Sequence, residues 1–346
     1  MSPELFNLQI RDGAWAITAA TVYQARVMRE SGVPRVLIAN EVAAPGDINW
    51  LGSQIDDGFD VICCVDSIES VKLLDEVLGA RSTKNPLRVL VELGVLGGRT
   101  GARTVDSALV VARAAAATRT LQVIGVTGFE GIIGPTSTKT AEERVDLFLE
   151  DLTVLARRVY AENLVRGTEE MVVSAGGSVF FDRVVVGLKR IRDSFPIRIV
   201  IRSGCYLSHD DGVIHELSPL GADPRIPGEV FRSAIEVWAA VLSQPEPNRV
   251  VVGAGKRDMS TDGLLPVVKK VLRRGSRIVE HISHPLRAVR VDDQHAYLDL
   301  DDSLQLSVGD FVAFGISHPC TTFDKWRVIP IVDENYKVVD FATTRF

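Results

Sequence analysis

Two short stretches of this chain carry residue types that do chemistry. Ser317-His318-Pro319-Cys320-Thr321-Thr322 places an imidazole and a thiol two positions apart. On extended backbone, residues i and i+2 point to one side, so His318 and Cys320 could chelate one metal ion. Imidazole with thiolate suits zinc better than a hard cation. A buried cysteine beside a hydrogen-bonded histidine is the plainer reading of the same pair. His295, in Asp293-Gln294-His295, is a further candidate active-site group, although a lone histidine more often serves structure. The second stretch is Ser174-Ala175-Gly176-Gly177-Ser178. Its small residues let backbone N–H groups approach an anion such as phosphate, and a helix start after it would add a favourable dipole. A plain strand-to-helix turn accounts for it equally well. Arg99 and Arg202 lie at strand ends, each suited either to a structural ion pair or to an anionic ligand or polarised ring.

These residues need a frame that gathers them. The first two-thirds of the chain alternates β-branched runs with helical patterns. Strands are expected at Trp15–Ala19, Arg35–Ala39, Val61–Cys64, Arg88–Leu93, Leu121–Val126, Met171–Ser174 and Ile197–Ile201. Helices are expected between them, including Thr21–Glu30, Ser67–Leu78, Val105–Thr118 and Ala141–Glu162. Such βα alternation, with strands buried on both faces, argues for a parallel sheet. The seven strands are preceded by a helix that opens at Ser2-Pro3-Glu4 and stops at Gly13. A closed (β/α)8 barrel needs one more strand. The expectation is therefore an α/β barrel lacking its first strand, spanning residues 1–224. In a barrel the loops after the strands gather at one face, where chemistry is expected. Residues 225–346 change texture. Pro245-Glu246-Pro247 and short runs at Arg249–Val252, Arg277–Val279, Ala296–Leu300, Phe311–Phe314 and Arg327–Val332 read as a mainly antiparallel β domain.

Composition narrows the function classes. The chain has 346 residues, 46% hydrophobic and 24% charged, enough for a real core and too apolar for disorder. Its formal charge of -6, without a basic stripe, argues against a nucleic-acid partner. No apolar run reaches the roughly 20 residues of a membrane helix, and no secretory signal is visible, so no membrane partner and a cytoplasmic location are expected. Four cysteines make no disulfide framework, and the adjacent Cys63 and Cys64 read as core. There is no phosphate-binding Walker loop, dinucleotide fingerprint or zinc-finger spacing.

Taken together, Gly94–Gly101, Phe129-Glu130-Gly131, Ala175–Ser178, Arg202–Tyr206, Asp293-Gln294-His295 and the run from Ser317 to Trp326 resemble the D-serine dehydratase-like and D-threonine aldolase family. The resemblance covers nearly the whole chain. It implies the alanine racemase fold, a pyridoxal-phosphate barrel followed by a β domain, usually as a homodimer. It implies that Ala175–Ser178, with Ser174, Ser203 and Gly204, cradles the cofactor phosphate, that Arg99 and Tyr206 lie near the ring, and that His318 and Cys320 bind zinc close to the cofactor. Family aldolases carry Asp where Cys320 stands, so the thiol favours dehydration of a D-amino acid, D-serine to pyruvate and ammonia, over retro-aldol cleavage. A D-threonine aldolase-type lyase, a non-catalytic pyridoxal-phosphate binder and a barrel enzyme using zinc alone are the alternatives. The family's Schiff-base lysine ends the first barrel strand, just before the sequence matching Ser2–Phe6. No lysine occurs between Met1 and Lys72, so the resemblance implies a chain shortened at its N-terminus, with that catalytic lysine absent and turnover doubtful.

Overall fold

The computed structural model describes residues 1–133, 139–301 and 304–346. They divide into two compact units, Ser2–Ser203 and Gly204–Phe346 with Met1. This division falls earlier in the chain than the 224/225 boundary expected from texture.

In the first unit, α1 (Pro3–Arg11) precedes seven strands: β1 (Ile17–Ala19), β2 (Arg35–Glu41), β3 (Asp60–Val65), β4 (Leu87–Leu93), β5 (Leu121–Gly128), β6 (Met171–Ala175) and β7 (Ile197–Ile201). They are connected by α2 (Val22–Glu30), α3 (Pro45–Asp56), α4 (Ile68–Arg81), α5 (Val105–Ala117), α6 (Lys139–Ala161) and α7 (Phe181–Lys189). Every strand pairs in parallel with the next, and β1 and β7 are the two ends of this curled half-barrel. The seven-strand expectation is borne out. Local sequence sets the helix starts. Ser67 with Ser70, and Thr104 with Ser107, form reciprocal capping boxes at α4 and α5, and proline opens α1 and α3.

The sheet buries both faces, but differently. The helices pack on one face. The other carries one apolar cluster with a residue from each successive strand: Leu37, Ile62, Leu90, Ile124 and Val172, flanked by Trp15 and Val200. Because side chains alternate along a strand, residues two further on face the same way. From Ile62, Leu90, Val172 and Val200 these are Cys64, Glu92, Ser174 and Arg202. The concave face therefore turns from apolar to polar toward the C-terminal strand ends.

The second unit begins with a turn at Cys205–Leu207 and α8 (Val213–Leu217). It continues through β8 (Glu236–Glu246), β9 (Arg249–Val252), β10 (Val267–Leu272), β11 (Val279–Arg287), β12 (Arg290–Val291), β13 (Ala296–Asp299) and β14 (Phe311–Gly315). These form one antiparallel sheet in the order β11-β10-β14-β8-β9-β13-β12. After it come α9 (Pro319–Phe323) and the hairpin β15 (Val328–Val332) and β16 (Val338–Thr343). Val241, Val250, Val252, Val271, Leu298 and Phe314 fill the core. Two local expectations are corrected. The strand expected at Arg277–Val279 starts at Val279, after a turn whose Gly275 has φ +82°. Ser317–Thr322 is not extended throughout: His318 is the N-cap of α9 and Cys320 lies in its first turn, because Pro319 fits the first helical position. No helix among the described residues is long and apolar enough to cross a membrane.

Gly125 tests the register of the first sheet. It pairs with Val172, and a Cβ there would lie 1.8 Å from the Val172 carbonyl oxygen. Gly125→Ala should cost about 3 kcal/mol or more in urea unfolding, as overpacking against backbone does. An unchanged midpoint would contradict this register.

Candidate active-site residues

The loops following β4, β5, β6 and β7 come together in the first unit. The Gly94–Gly101 loop returns on itself, with Gly101 at φ +94° packed against the Gly94 backbone and its N–H donating to Asp66 Oδ2 at 3.1 Å. This loop presents Arg99, which is exposed and lies 4.5 Å over the Phe129 ring. Phe129 in turn closes on Gly177, where a Cβ would meet the ring at 2.9 Å. The expected phosphate loop is thus a tight glycine turn with Gly176 at φ +99°.

Its amides already hold an anion. Glu130, fully buried, accepts from the Gly176 N–H at 3.0 Å and the Gly177 N–H at 2.6 Å. Ser174 is buried and donates to the Val200 carbonyl at 3.0 Å, while the Ala175 carbonyl accepts from the Arg202 N–H at 3.2 Å. Ser203 Oγ lies 3.1 Å from the carbonyls of both Gly176 and Gly177. Ser178 is half-buried and engaged, and α7 starts only at Phe181 with no side-chain cap. The helix therefore follows this loop less directly than the sequence suggested. Arg202 donates through Nη2 to Thr127 Oγ1 at 3.2 Å and to the Gly128 carbonyl at 2.6 Å. Its Nε is buried with no acceptor among the described residues. A donor aimed into the polar end of the concave face, beside amides that hold a carboxylate, fits an anionic ring cofactor. Glu130 must yield the two amides if a phosphate is to take them.

Sequence reasoning missed a second feature of this face. Glu41 and Glu92 meet there, and burial first, then the Glu92 charge and hydrogen bond, push Glu41 up to about 8. Cys63 and Cys64 are buried as expected, and burial pushes the Cys63 thiol up to about 12.

In the second unit, His318 is half-buried and fixed from several sides. Its Nδ1 lies 2.7 Å from Asp262 Oδ2, and its backbone N–H donates to Ser260 Oγ at 2.9 Å. Thr321 Oγ1 donates to Asp262 Oδ1 at 2.9 Å, so the helix also orients the carboxylate. The contact with Cys320 first, and then Asp262, raise the His318 imidazole to about 9 against the opposing effect of burial. Burial alone would raise Asp262, but its bonds from His318 and Thr321 bring it below its ordinary value. An imidazole whose Nδ1 is held by a carboxylate has Nε2 left for a metal. Cys320 is exposed at the start of α9, and imidazole with thiol is a zinc-type donor pair. Among the described residues no group of three His, Cys, Asp or Glu side chains is placed to hold a metal, so the protein offers two donors. Tyr206 is 46% exposed in the turn after Gly204. His295 is exposed in the turn between β12 and β13, where its carbonyl accepts from the Asp292 N–H at 2.8 Å.

Comparison with known proteins agrees with both units. An alanine racemase N-terminal domain profile matches residues 5–166, and a putative serine dehydratase domain profile matches 234–332. The 3-hydroxy-D-aspartate aldolase of Paracoccus denitrificans is 25% identical over 299 residues, 86% of this chain and 72% of that protein. The D-threonine aldolase structure from Filomicrobium marinum aligns with TM-score 0.77 at 23% identity, covering 99% of this chain and 84% of that one. The D-threo-3-hydroxyaspartate dehydratase structure from Delftia sp. HT23 aligns with TM-score 0.75 at 17% identity, covering 99% and 87%. The fold is that of an alanine racemase-like α/β unit followed by an antiparallel β domain. Within that class, the chain resembles the 3-hydroxy-D-aspartate and D-threonine aldolases and the D-threo-3-hydroxyaspartate dehydratase, and it matches an alanine racemase N-terminal domain followed by a putative serine dehydratase domain.

The Asp262–His318 contact has a testable sign. A raised imidazole contributes stability that is complete below its ordinary value near 6.5 and is lost as pH rises through about 9. NMR titration of the metal-free protein should find His318 protonated at pH 7.5. Asp262→Asn should lower that titration. An unshifted His318 titration in that variant would contradict the assignment.

Proposed function

We propose that the protein is a pyridoxal-phosphate- and zinc-dependent lyase for D-3-hydroxy amino acids, with dehydration of D-serine to pyruvate and ammonia as its leading reaction. The observation that carries this reading is the His318 imidazole, oriented by Asp262 at 2.7 Å, with the Cys320 thiol rather than a carboxylate beside it. When bound, pyridoxal phosphate supplies an electron sink for charge at the amino acid Cα, and zinc supplies a Lewis acid for a hydroxyl oxygen.

The chain's own residues have definable tasks. Arg202 Nε offers a buried donor to an acceptor on the concave face. The Gly176 and Gly177 amides hold an anion there, and Ser203 ties the turn to the strand after it. Ser178 is a further proposed cofactor contact of this unit, and Arg99 covers Phe129 at the rim. Asp262 keeps the His318 ring oriented through Nδ1. Lys72 and Lys189 lie on α4 and α7, and Lys84 in the loop entering β4, none of them at a C-terminal strand end. We therefore expect the chain described here to hold its cofactor without a covalent bond to any of these lysines, and to associate as a homodimer.

Relatives favour a second reading. The 25% identical 3-hydroxy-D-aspartate aldolase supports cleavage to glycine and an aldehyde product. Incubation with pyridoxal phosphate, zinc and D-serine or D-threonine separates the two by product. The leading reading expects a 2-oxo acid and ammonia, and Cys320→Ala should remove zinc and product together. Stoichiometric zinc in Cys320→Ala would reject the metal pair, and glycine as the product would reject dehydration in favour of the aldolase. Borohydride treatment of the cofactor-loaded chain should leave Lys72, Lys84 and Lys189 unlabelled.

A further inference from the structure

Glu41 and Glu92 come from strands separated by β3, yet they meet over it. Glu92 is two residues beyond Leu90, on the concave face, and is 5% exposed. Glu41 ends β2, where the pairing with β3 slips between Leu37 and Glu41 and brings Glu41 opposite Cys64. Both Glu41 oxygens and Glu92 Oε2 are buried, and no conventional donor among the described residues reaches them. Their contact is with each other. Two carboxyl groups can hydrogen-bond only when one of them keeps a proton. Burial and nearby negative charge favour that state, and a nearby cation opposes it. Asp66 follows β3 and adds negative charge, Cys63 and Cys64 are buried thiols, and Arg202 is the cation acting on Cys64. Arg202 is also the residue with the buried, unpaired Nε, so the pair shares the polar end of the concave face with the cofactor contacts.

We propose that Glu41 and Glu92 form one proton-sharing acid–base pair serving a ligand bound on this face. The role rests on the lyase reading. In a dehydration the ligand's Cα–H bond breaks, its proton passes to the ionised carboxylate, and its electron pair becomes the new C=C bond. The Cβ–O bond breaks with the oxygen taking the electron pair, and the pair's other proton leaves on it as water. One proton enters and one leaves, so the pair ends the cycle as it began. A lone carboxylate with an ordinary acidity holds no proton to give at neutral pH. Two carboxylates locked together hold one, which is why the duplication matters.

The test starts with the ligand-free chain. Carboxyl 13C NMR should show one glutamate retaining its proton at pH 7 and titrating near 8, and Glu92→Gln should move that titration to lower pH. The unfolding midpoint should fall as pH rises from 6 to 9, and Glu41→Gln should make that fall shallower, leaving the part that His318 contributes. In the protein loaded with pyridoxal phosphate and zinc, deuterium exchange at Cα of D-serine should slow by about 100-fold or more in each variant. Cofactor affinity should stay within about threefold, which a merely structural role would not combine with slow exchange. Ordinary acidic titration of both carboxyls overturns the proposal, and pyruvate formation would then leave the lyase reading standing. A high-pH titration in a protein that neither exchanges nor eliminates overturns the lyase reading and the acid–base role with it. Unchanged exchange in Glu41→Gln overturns the pair alone.

Discussion

The concave face of the parallel sheet is the constraint on which the first unit depends. Strands that feed helices on one side leave the other side to be filled by their own side chains. Here a row from Leu37 to Val200 fills it with apolar groups, and the next row is polar. That second row buries Glu41, Glu92 and the Nε of Arg202 without conventional partners. Leaving a buried polar atom unpaired costs about 1–3 kcal/mol, so several in one place are tolerated where a ligand completes them. The polar row also lies at the C-terminal strand ends, the end at which the β4 to β7 loops assemble Arg99, Phe129, Glu130 and Gly177.

The second unit solves a different problem, the orientation of one imidazole. Its antiparallel sheet carries the chain to Gly315, and Pro319 then starts a five-residue helix. The N-cap position leaves His318 extended while the helix turns Thr321 toward Asp262. Ser260 anchors the His318 backbone and also contacts Ser317. The ring is therefore held through its carboxylate partner on Nδ1 and through its own backbone, with Cys320 beside it.

How much of this was legible depends on sequence distance. The seven strands of the first sheet were readable because strands buried on both faces are written as continuous β-branched runs, as in Val61–Val65 or Met171–Ala175. β8 escaped because its Trp238-Ala239-Ala240 centre lacks that signature, although its burial alternates strictly from Glu236 to Val241. β10 escaped because Lys269 and Lys270 interrupt it; Lys269, at the bulge beside Val268, pairs with Asp211 at 2.6 Å. The candidate loops at Gly94–Gly101, Ser174–Ser178 and Ser317–Thr322 were visible as local patterns. Their partners were not. Asp262 lies 56 residues from His318, and Glu130 lies 46 from Gly176. Glu41 and Glu92 looked like ordinary charges until the order of β2, β3 and β4 placed them over one another.

The central claim is that the polar end of the concave face is a cofactor cradle. A crystal structure of the protein grown with pyridoxal phosphate tests it most directly. The ring should lie on that face with an acceptor on Arg202 Nε, and the phosphate on the Gly176–Ser178 backbone with Glu130 displaced. Cofactor bound away from this face, with Glu130 still on the two glycine amides and Arg202 Nε still unpaired, would contradict it.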